Sequence, residues 1–349
     1  MRITAVETGR RGVRLRSSFR TALREVTDFE VVTVWVRTDD GVTGCSEVVG
    51  TARITGETNA SIEEAVNKVL GPVLIGRDLS DYSVALTDAA AAMVGNTTAK
   101  CGLDVAVHRA VAAWRAITLS ELLGAAPRPI ATDVTLSLAA PPVMAAEAAR
   151  RANEGFGALK LKVGGPVALD IERIQAVARA VPATVALRVD ANQAWTAKQA
   201  LEVIGAVTAA GVTLEFLEQP VPAADLTGLA AVTARIPVPV VADESAHSAA
   251  DVRRLADAGA CDVVNIKLAK CGGLQAALEV AAVACAGGLG VLFGSMLESG
   301  TGVAATVALA SRVAAEQVHD LDAGWWAEVQ SGAVYEPPLV RAEDGVAAP

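Results

Sequence analysis

Four short apolar runs, ALKLKVGG (158–165), ALRVDAN (186–192), TLEFLEQP (213–220) and VVADES (240–245), each carry ionisable side chains toward their ends, and a fifth, VVNIKLAK (263–270), follows them. The charged positions Lys160, Lys162, Asp190, Glu218, Asp243 and Lys267 recur 24 to 30 residues apart, the length of one strand-and-helix unit. A buried strand rejects a charge, because removing one from water costs several kcal/mol unless it is paired or ligates a metal. Five consecutive units break that rule near their C-terminal ends. In a (β/α)8 barrel those ends converge on one mouth, where active sites sit. The pattern predicts an α/β fold built on a (β/α)8-type barrel.

Outward from this core, strands are expected at ATDVTLSL (131–138) and again at 158, 186, 213, 239, 263 and 290, separated by Ala-rich helical segments. The eighth is expected near VHDLDA (318–323). Pro127 and Pro129 mark the start of this rhythm. Before them, 2–9, 29–38 and 42–49 read as an antiparallel sheet with Asp39-Asp40-Gly41 as a hairpin turn, and 17–26 as a loop too long for a tight turn. Helices are expected from Thr58 and over 79–93 and 96–115. The organisation is therefore an α+β domain (1–125), a barrel (126–323) and a tail (324–349) that crosses back to the N-terminal domain.

The 349 residues suit one barrel of about 250 residues plus a smaller domain. A net charge of −9 and no sustained basic stripe argue against nucleic acid; the Arg-rich opening (Arg10 to Arg24) reads as a solvated loop. Five cysteines without a CxxC, three histidines and no signal-peptide pattern point to a reducing cytoplasm and no zinc site. The uncharged stretch Val280–Leu297 is long enough to suggest a membrane span. Gly287, Gly288 and Gly290 interrupt it, so a helix, a turn and a strand are expected and no membrane segment.

Lys160 and Lys162, two apart, share a strand face. Side by side in a barrel mouth, their repulsion and lost hydration would lower a lysine's pKa toward that of a base; the alternative is an edge strand with protective lysines. Asp190, Glu218 and Asp243 are hard oxygen ligands from three successive strands, a set that suits Mg²⁺ rather than zinc. Singly each could be a helix cap or loop carboxylate, Asp243-Glu244-Ser245 above all. Asn192 and Glu244 stand where they could support the ligands. Lys267 lies across the mouth from Lys162. Two bases on opposite faces of one bound substrate remove a proton from one side and return it from the other, which inverts a carbon centre.

KxK at 160–162, DAN at 190–192, EQP at 218–220, ADES at 242–245 and NIKLAKCGG at 265–273 together resemble the enolase superfamily, muconate-lactonizing-enzyme subgroup. The resemblance implies a modified TIM barrel whose capping domain is completed by the C-terminal tail. It implies Mg²⁺, with Mn²⁺ as a substitute, on Asp190, Glu218 and Asp243, stabilising the enolate formed as an α-proton leaves. Lys162 and Lys267 would be the acid/base pair, and Lys160 would polarise the bound oxygen and depress the pKa of Lys162. Asn265 would join Asn192 and Glu244 behind the ligands, and a homo-oligomer is expected.

HDLDAG (319–324) is similar to the DxD of dipeptide epimerases, which implies that Asp320 and Asp322 capture a substrate ammonium. FRTALREV (19–26) and RITGET (53–58) resemble the specificity loops of those enzymes, near 17–26 and 50–58, with Arg24 placed to pair with an acidic side chain. Thr135 and Glu298 are further expected substrate contacts. GSMLESGTG (294–302) is also similar to the N-acylamino-acid racemase and o-succinylbenzoate synthase branch, and muconate cycloisomerases share the catalytic set. The expected activity is epimerisation of an L,L-dipeptide, L-Ala-L-Glu to L-Ala-D-Glu in the simplest case. The alternatives are racemisation or cycloisomerisation at the same site, or a metal-binding scaffold without catalysis.

Overall fold

The computed structural model describes residues 1–21, 25–329 and 331–343. Strands β1 (Ile3–Arg20), β2 (Glu25–Thr38) and β3 (Thr43–Val48) form an antiparallel sheet in that order. Within the expected loop at 17–26, residues 17–20 and 25–26 are strand: Phe19 faces Val26 and Arg20 faces Glu25, with a register shift after Arg14. Val13, Leu15 and Phe19 are buried while Arg14 and Arg16 are exposed, so the described part of the Arg-rich opening, up to Arg20, is a long strand rather than a solvated loop. Helix Thr97–Trp114 is apolar nearly all round and lies buried against this sheet. At Gly44 on β3, a Cβ would come 1.9 Å from the Ala106 carbonyl oxygen, so only glycine permits that approach.

Past β4 (Ile130–Thr132), seven parallel strands run in sequence order: β5 (Val134–Leu136), β6 (Ala158–Lys162), β7 (Ala186–Asp190), β8 (Phe216–Glu218), β9 (Val240–Ala242), β10 (Val263–Ile266) and β11 (Gly290–Phe293). The expected eighth strand is reduced to β12 (Val318–His319). It pairs in parallel with β4, and Asp320 bridges Gly294 just after β11, so the ring closes between the first and last staves. Phe216, Val241 and Leu292 pack together as an apolar cluster inside it.

The stretch 280–297 divides as expected into the end of helix Leu274–Ala286, a turn with Gly288 at φ 75°, and β11. Among the described residues no helix is long and apolar enough to cross a membrane. The tail splits its contacts. The Glu328 N–H donates to the Arg14 carbonyl (2.9 Å) and Ala327 bridges Leu15 on the N-terminal sheet. The hairpin β13 (Ala333–Glu336) and β14 (Leu339–Ala342) instead extends β4, giving a sheet ordered β12-β4-β14-β13.

Candidate active site

Strand register sets Lys162 beside Asp190 and Asp190 beside Glu218; Asp243 follows β9 and Lys267 follows β10. All five, with Lys160, are buried. Lys162 Nζ donates to Asp190 Oδ2 at 2.5 Å and Lys267 Nζ to Asp243 Oδ2 at 2.8 Å. Lys160 pairs with Asp320 and lies 3.6 Å from Glu218 and 3.8 Å from Asp190. Lys270, which sequence reading passed over, donates to Asp243 Oδ1 at 2.5 Å. Its signal was present in NIKLAK, three residues beyond Lys267.

At Lys160 the expected lowering of lysine pKa is reversed. Burial works against the charge of Lys160, but Asp320, Glu218 and Asp190 outweigh it and hold the ammonium well above the ordinary lysine value. Lys267 is likewise raised: burial opposes its charge and Asp243 overcomes it. Carboxylate neighbours dominate over lysine–lysine repulsion. Asp243 shows the reciprocal effect, since burial would raise it but Lys267 and Lys270 hold it far below the usual carboxylate range. Glu218 is pushed up to about 7 by burial, with Asp190 and Asp243 adding to it against Lys160.

Asn265 Nδ2 donates to Glu218 Oε1 at 2.7 Å; Asn192 gives Asp190 its backbone N–H at 2.8 Å and its Nδ2 at 3.3 Å, and reaches Glu244 at 3.4 Å. Burial raises Glu244 to about 7. Asn192, Gln193 and Gln219 adopt positive φ (43°, 71° and 33°), a backbone strain that clusters at functional sites.

Lys160, Lys162, Asn192, Asp243, Lys267, Asp320, Asp322 and Thr135 line one cleft of about 350 Å³, closed from the N-terminal domain by Phe19, Thr21 and residues 50–54. Asp322 Oδ2 accepts the Thr135 backbone N–H (2.7 Å) and Trp326 Nε1–H (2.9 Å). Burial raises Asp322; it would raise Asp320 too, but Lys160, Lys267 and Lys162 hold that group low. Trp326 is a cleft residue that sequence reading missed, while Arg53 and Ile54 come from the expected loop RITGET and Met296 and Leu297 from GSMLESGTG without having been singled out one by one.

Glu298 does not line the cleft, although Ser295, Met296 and Leu297 do. Ser299 begins the next helix by accepting the Gly302 N–H, and this turn sends the Glu298 carboxylate to Gly302, where a Cβ would lie 2.5 Å from Oε2. Burial pushes Glu298 up to about 8. Arg24 lies outside the described residues.

Fit to a divalent cation can be read from unpartnered atoms. Glu218 Oε2, Asn192 Oδ1 and Glu244 Oε2 are buried with no hydrogen-bond partner. A hard, all-oxygen donor set of this kind suits Mg²⁺. Asp190 and Asp243 accept hydrogen bonds from Lys162 and Lys267, and among the described residues the trio of carboxylates converging within 4.8 Å is Asp133, Asp320 and Asp322.

Residues 3–124 match the mandelate racemase/muconate lactonizing enzyme N-terminal domain, and 143–349 the enolase C-terminal domain-like family. The chain is 36% identical over 311 residues to the L-Ala-D/L-Glu epimerase of Clostridium acetobutylicum, covering 89% of this chain and 87% of that protein. It superposes on a substrate-liganded L-Ala-D/L-Glu epimerase from Bacillus subtilis with a TM-score of 0.95, at 35% identity over 98% of this chain and 97% of that one. The dipeptide epimerase of Enterococcus faecalis V583, complexed with Mg and L-Leu-L-Tyr, gives 0.93 at 32% identity, covering 98% of both chains. Two domain matches that together span almost the whole chain, and a fold shared end to end with these epimerases, settle the lineage: the chain belongs to the mandelate racemase/muconate lactonizing enzyme family of the enolase superfamily and is an isomerase.

Proposed function

We propose that this isomerase inverts the α-carbon of the C-terminal residue of an L,L-dipeptide, with L-Ala-L-Glu to L-Ala-D-Glu as the reference reaction. The observation that carries the reading is the presence of Asp320 and Asp322 in the same cleft as Lys162 and Lys267. Two carboxylates hold a free N-terminal ammonium, which acyl amino acids and muconate lack, and so orient the α-carbon toward the lysines. One lysine takes the α-proton as a base, and the ammonium of the other returns a proton from the opposite face. Lys160, kept charged by its carboxylates, offers its N–H to the substrate carboxylate oxygen. Mg²⁺ held by Asp190, Glu218 and Asp243 would offset the negative charge that builds up as the proton leaves. The Mg and dipeptide bound by the Enterococcus faecalis relative support this assignment. The same reading takes Mn²⁺ as a working substitute and a cytoplasmic homo-oligomer as the form of the enzyme, with no nucleic-acid or membrane partner.

The test is α-deuterium incorporation in deuterated buffer with Mg²⁺, read by mass spectrometry on pooled L,L-dipeptides and, separately, pooled N-acyl amino acids. Incorporation into dipeptides alone is expected. Incorporation into acyl amino acids alone would keep the chemistry and replace the substrate class by that of the racemase and o-succinylbenzoate synthase branch, which GSMLESGTG (294–302) resembles. No incorporation into any dipeptide ends the proposal.

A further inference from the structure

Of the three acids that converge beside the cleft, Asp133 pairs with Arg188 at 2.8 Å and Asp320 with Lys160, while Lys162 and Lys267 act on Asp320 from further away. Asp322 makes no ion pair among the described residues. Two neutral donors hold it instead, both on Oδ2: the Thr135 N–H at 2.7 Å and Trp326 Nε1–H at 2.9 Å. Oδ1 receives no hydrogen bond among the described residues, and Asp322 lines the cleft. Burial and Asp320 push the Asp322 carboxyl up, while Lys160 and these two bonds draw it down, so each donor favours the charged form that attracts a cation.

The Thr135 N–H is fixed by its place on β5, whereas the indole has to be fixed by packing. Trp326 closes the one-turn helix Ala323–Trp326, four residues past Asp322, a spacing that puts the two side chains on one helix face. Its ring is buried. Phe19 of β1 meets the ring edge-on, with centroids 5.4 Å apart and planes at 76°. The Arg151 guanidinium lies 5.3 Å from the ring centroid and is itself held by Glu147 and Glu154, each at 2.8 Å. A residue of the N-terminal domain and a cation of the barrel thus grip one indole, and its N–H stands on Oδ2 before any substrate enters.

Resting on the dipeptide reading, we propose that Trp326 is a positioning residue for the ammonium pocket: its indole N–H holds the Oδ2 edge of Asp322, so that Oδ1 is presented to the N-terminal ammonium of the substrate. A carboxylate oriented in advance loses less freedom when the ammonium binds, which strengthens binding without a new contact. The ammonium keeps the same charge as the α-proton leaves, so the benefit falls on binding rather than on the chemical step.

Trp326→Phe keeps an aromatic ring beside Phe19 and removes the N–H. Steady-state kinetics with Mg²⁺ should show KM for L-Ala-L-Glu raised about tenfold with kcat little changed. The inhibition constant of N-propionyl-L-glutamate, the same molecule without its ammonium, should stay where it is in wild type. In an Asp322→Asn background the substitution should raise KM no further, because both changes act through one contact. A second variant carries 3-benzothienylalanine at position 326, which keeps the bicyclic ring and replaces only the N–H by sulfur. It should show the same KM shift, and it decides the matter where phenylalanine disturbs folding. An unmoved KM, an equal rise in the propionyl-glutamate constant, or full additivity with Asp322→Asn would overturn the inference and leave the dipeptide reading standing. Absence of dipeptide epimerisation by wild type would overturn that reading, and the inference with it.

Discussion

Lys162 and Lys267 reach one cleft from β6 and the end of β10, each with its own carboxylate partner. Replacing either by Gln should lower kcat for epimerisation by about 10² to 10⁴. Each variant should retain α-deuterium exchange with one epimer and lose it with the other, because the remaining lysine serves one face. Equal exchange of both epimers by either variant would contradict a two-base arrangement. Asp320→Asn should raise the dipeptide KM by roughly 10- to 100-fold, the worth of about 1.5–3 kcal/mol in a charge-assisted hydrogen bond; steady-state kinetics decides it. Ionisable side chains set in apolar runs make these residues legible in the amino-acid sequence itself. Asp133 is not legible there, because ATDVTLSL shows only one acid near a strand start. Nor is the pKa direction at Lys160, which depends on Asp320 arriving from 160 residues away.

At the level of elements, β11, β12 and helix Gly300–Val313 meet at His319. Its Nδ1 accepts the Phe293 N–H at 3.1 Å and its Nε2–H donates to the Ala314 carbonyl at 2.9 Å, so the neutral ring fills both bonds and a second ring proton would oppose the Phe293 N–H. Burial lowers the pKa to about 4, with Arg188 adding to the effect and the Ala314 bond and Asp320 working against it. The folded value lies below the unfolded one of about 6.5, so unfolding takes up a proton between these limits. His319 therefore stabilises fully above pH 6.5, and its contribution fades as pH falls toward 4. Between pH 6.5 and 5 the loss should be about 1.5 kcal/mol. Urea unfolding at the two pH values should show this slope in wild type and lack it in His319→Asn, since carboxylate titrations are common to both. β12 falls where the eighth strand was expected, near 318–323, but only Val318 and His319 pair, too few for a run of alternation. The strand expected at 2–9 is the first part of β1, whose continuation to Arg20 carries Arg10, Arg11, Gly12 and Arg14 in place of an apolar alternation.

Across the whole molecule, the repeat of βα units announced the barrel, whereas the split course of the tail depends on pairings such as Val340 with Ile130 that local pattern does not encode. The unpartnered oxygens at the mouth give a metal prediction: adding Mg²⁺ at about 100 Kd to chelator-treated protein should raise stability by about 2.7 kcal/mol, roughly 4 °C in Tm for a chain of this length. Differential scanning calorimetry checks it, and an unmoved Tm would count against the site. The two domains are also stitched along their border. Ser299 Oγ donates to Glu47 at 2.5 Å, Arg109 donates to the Thr301 carbonyl at 2.8 Å, and Asp104 accepts the Leu274 N–H at 2.7 Å. Anyone grafting a new cap onto this barrel to redirect its selectivity must transplant both sides of that suture together, because a foreign cap would leave the Ser299 hydroxyl, the Thr301 carbonyl and the Leu274 N–H facing nothing.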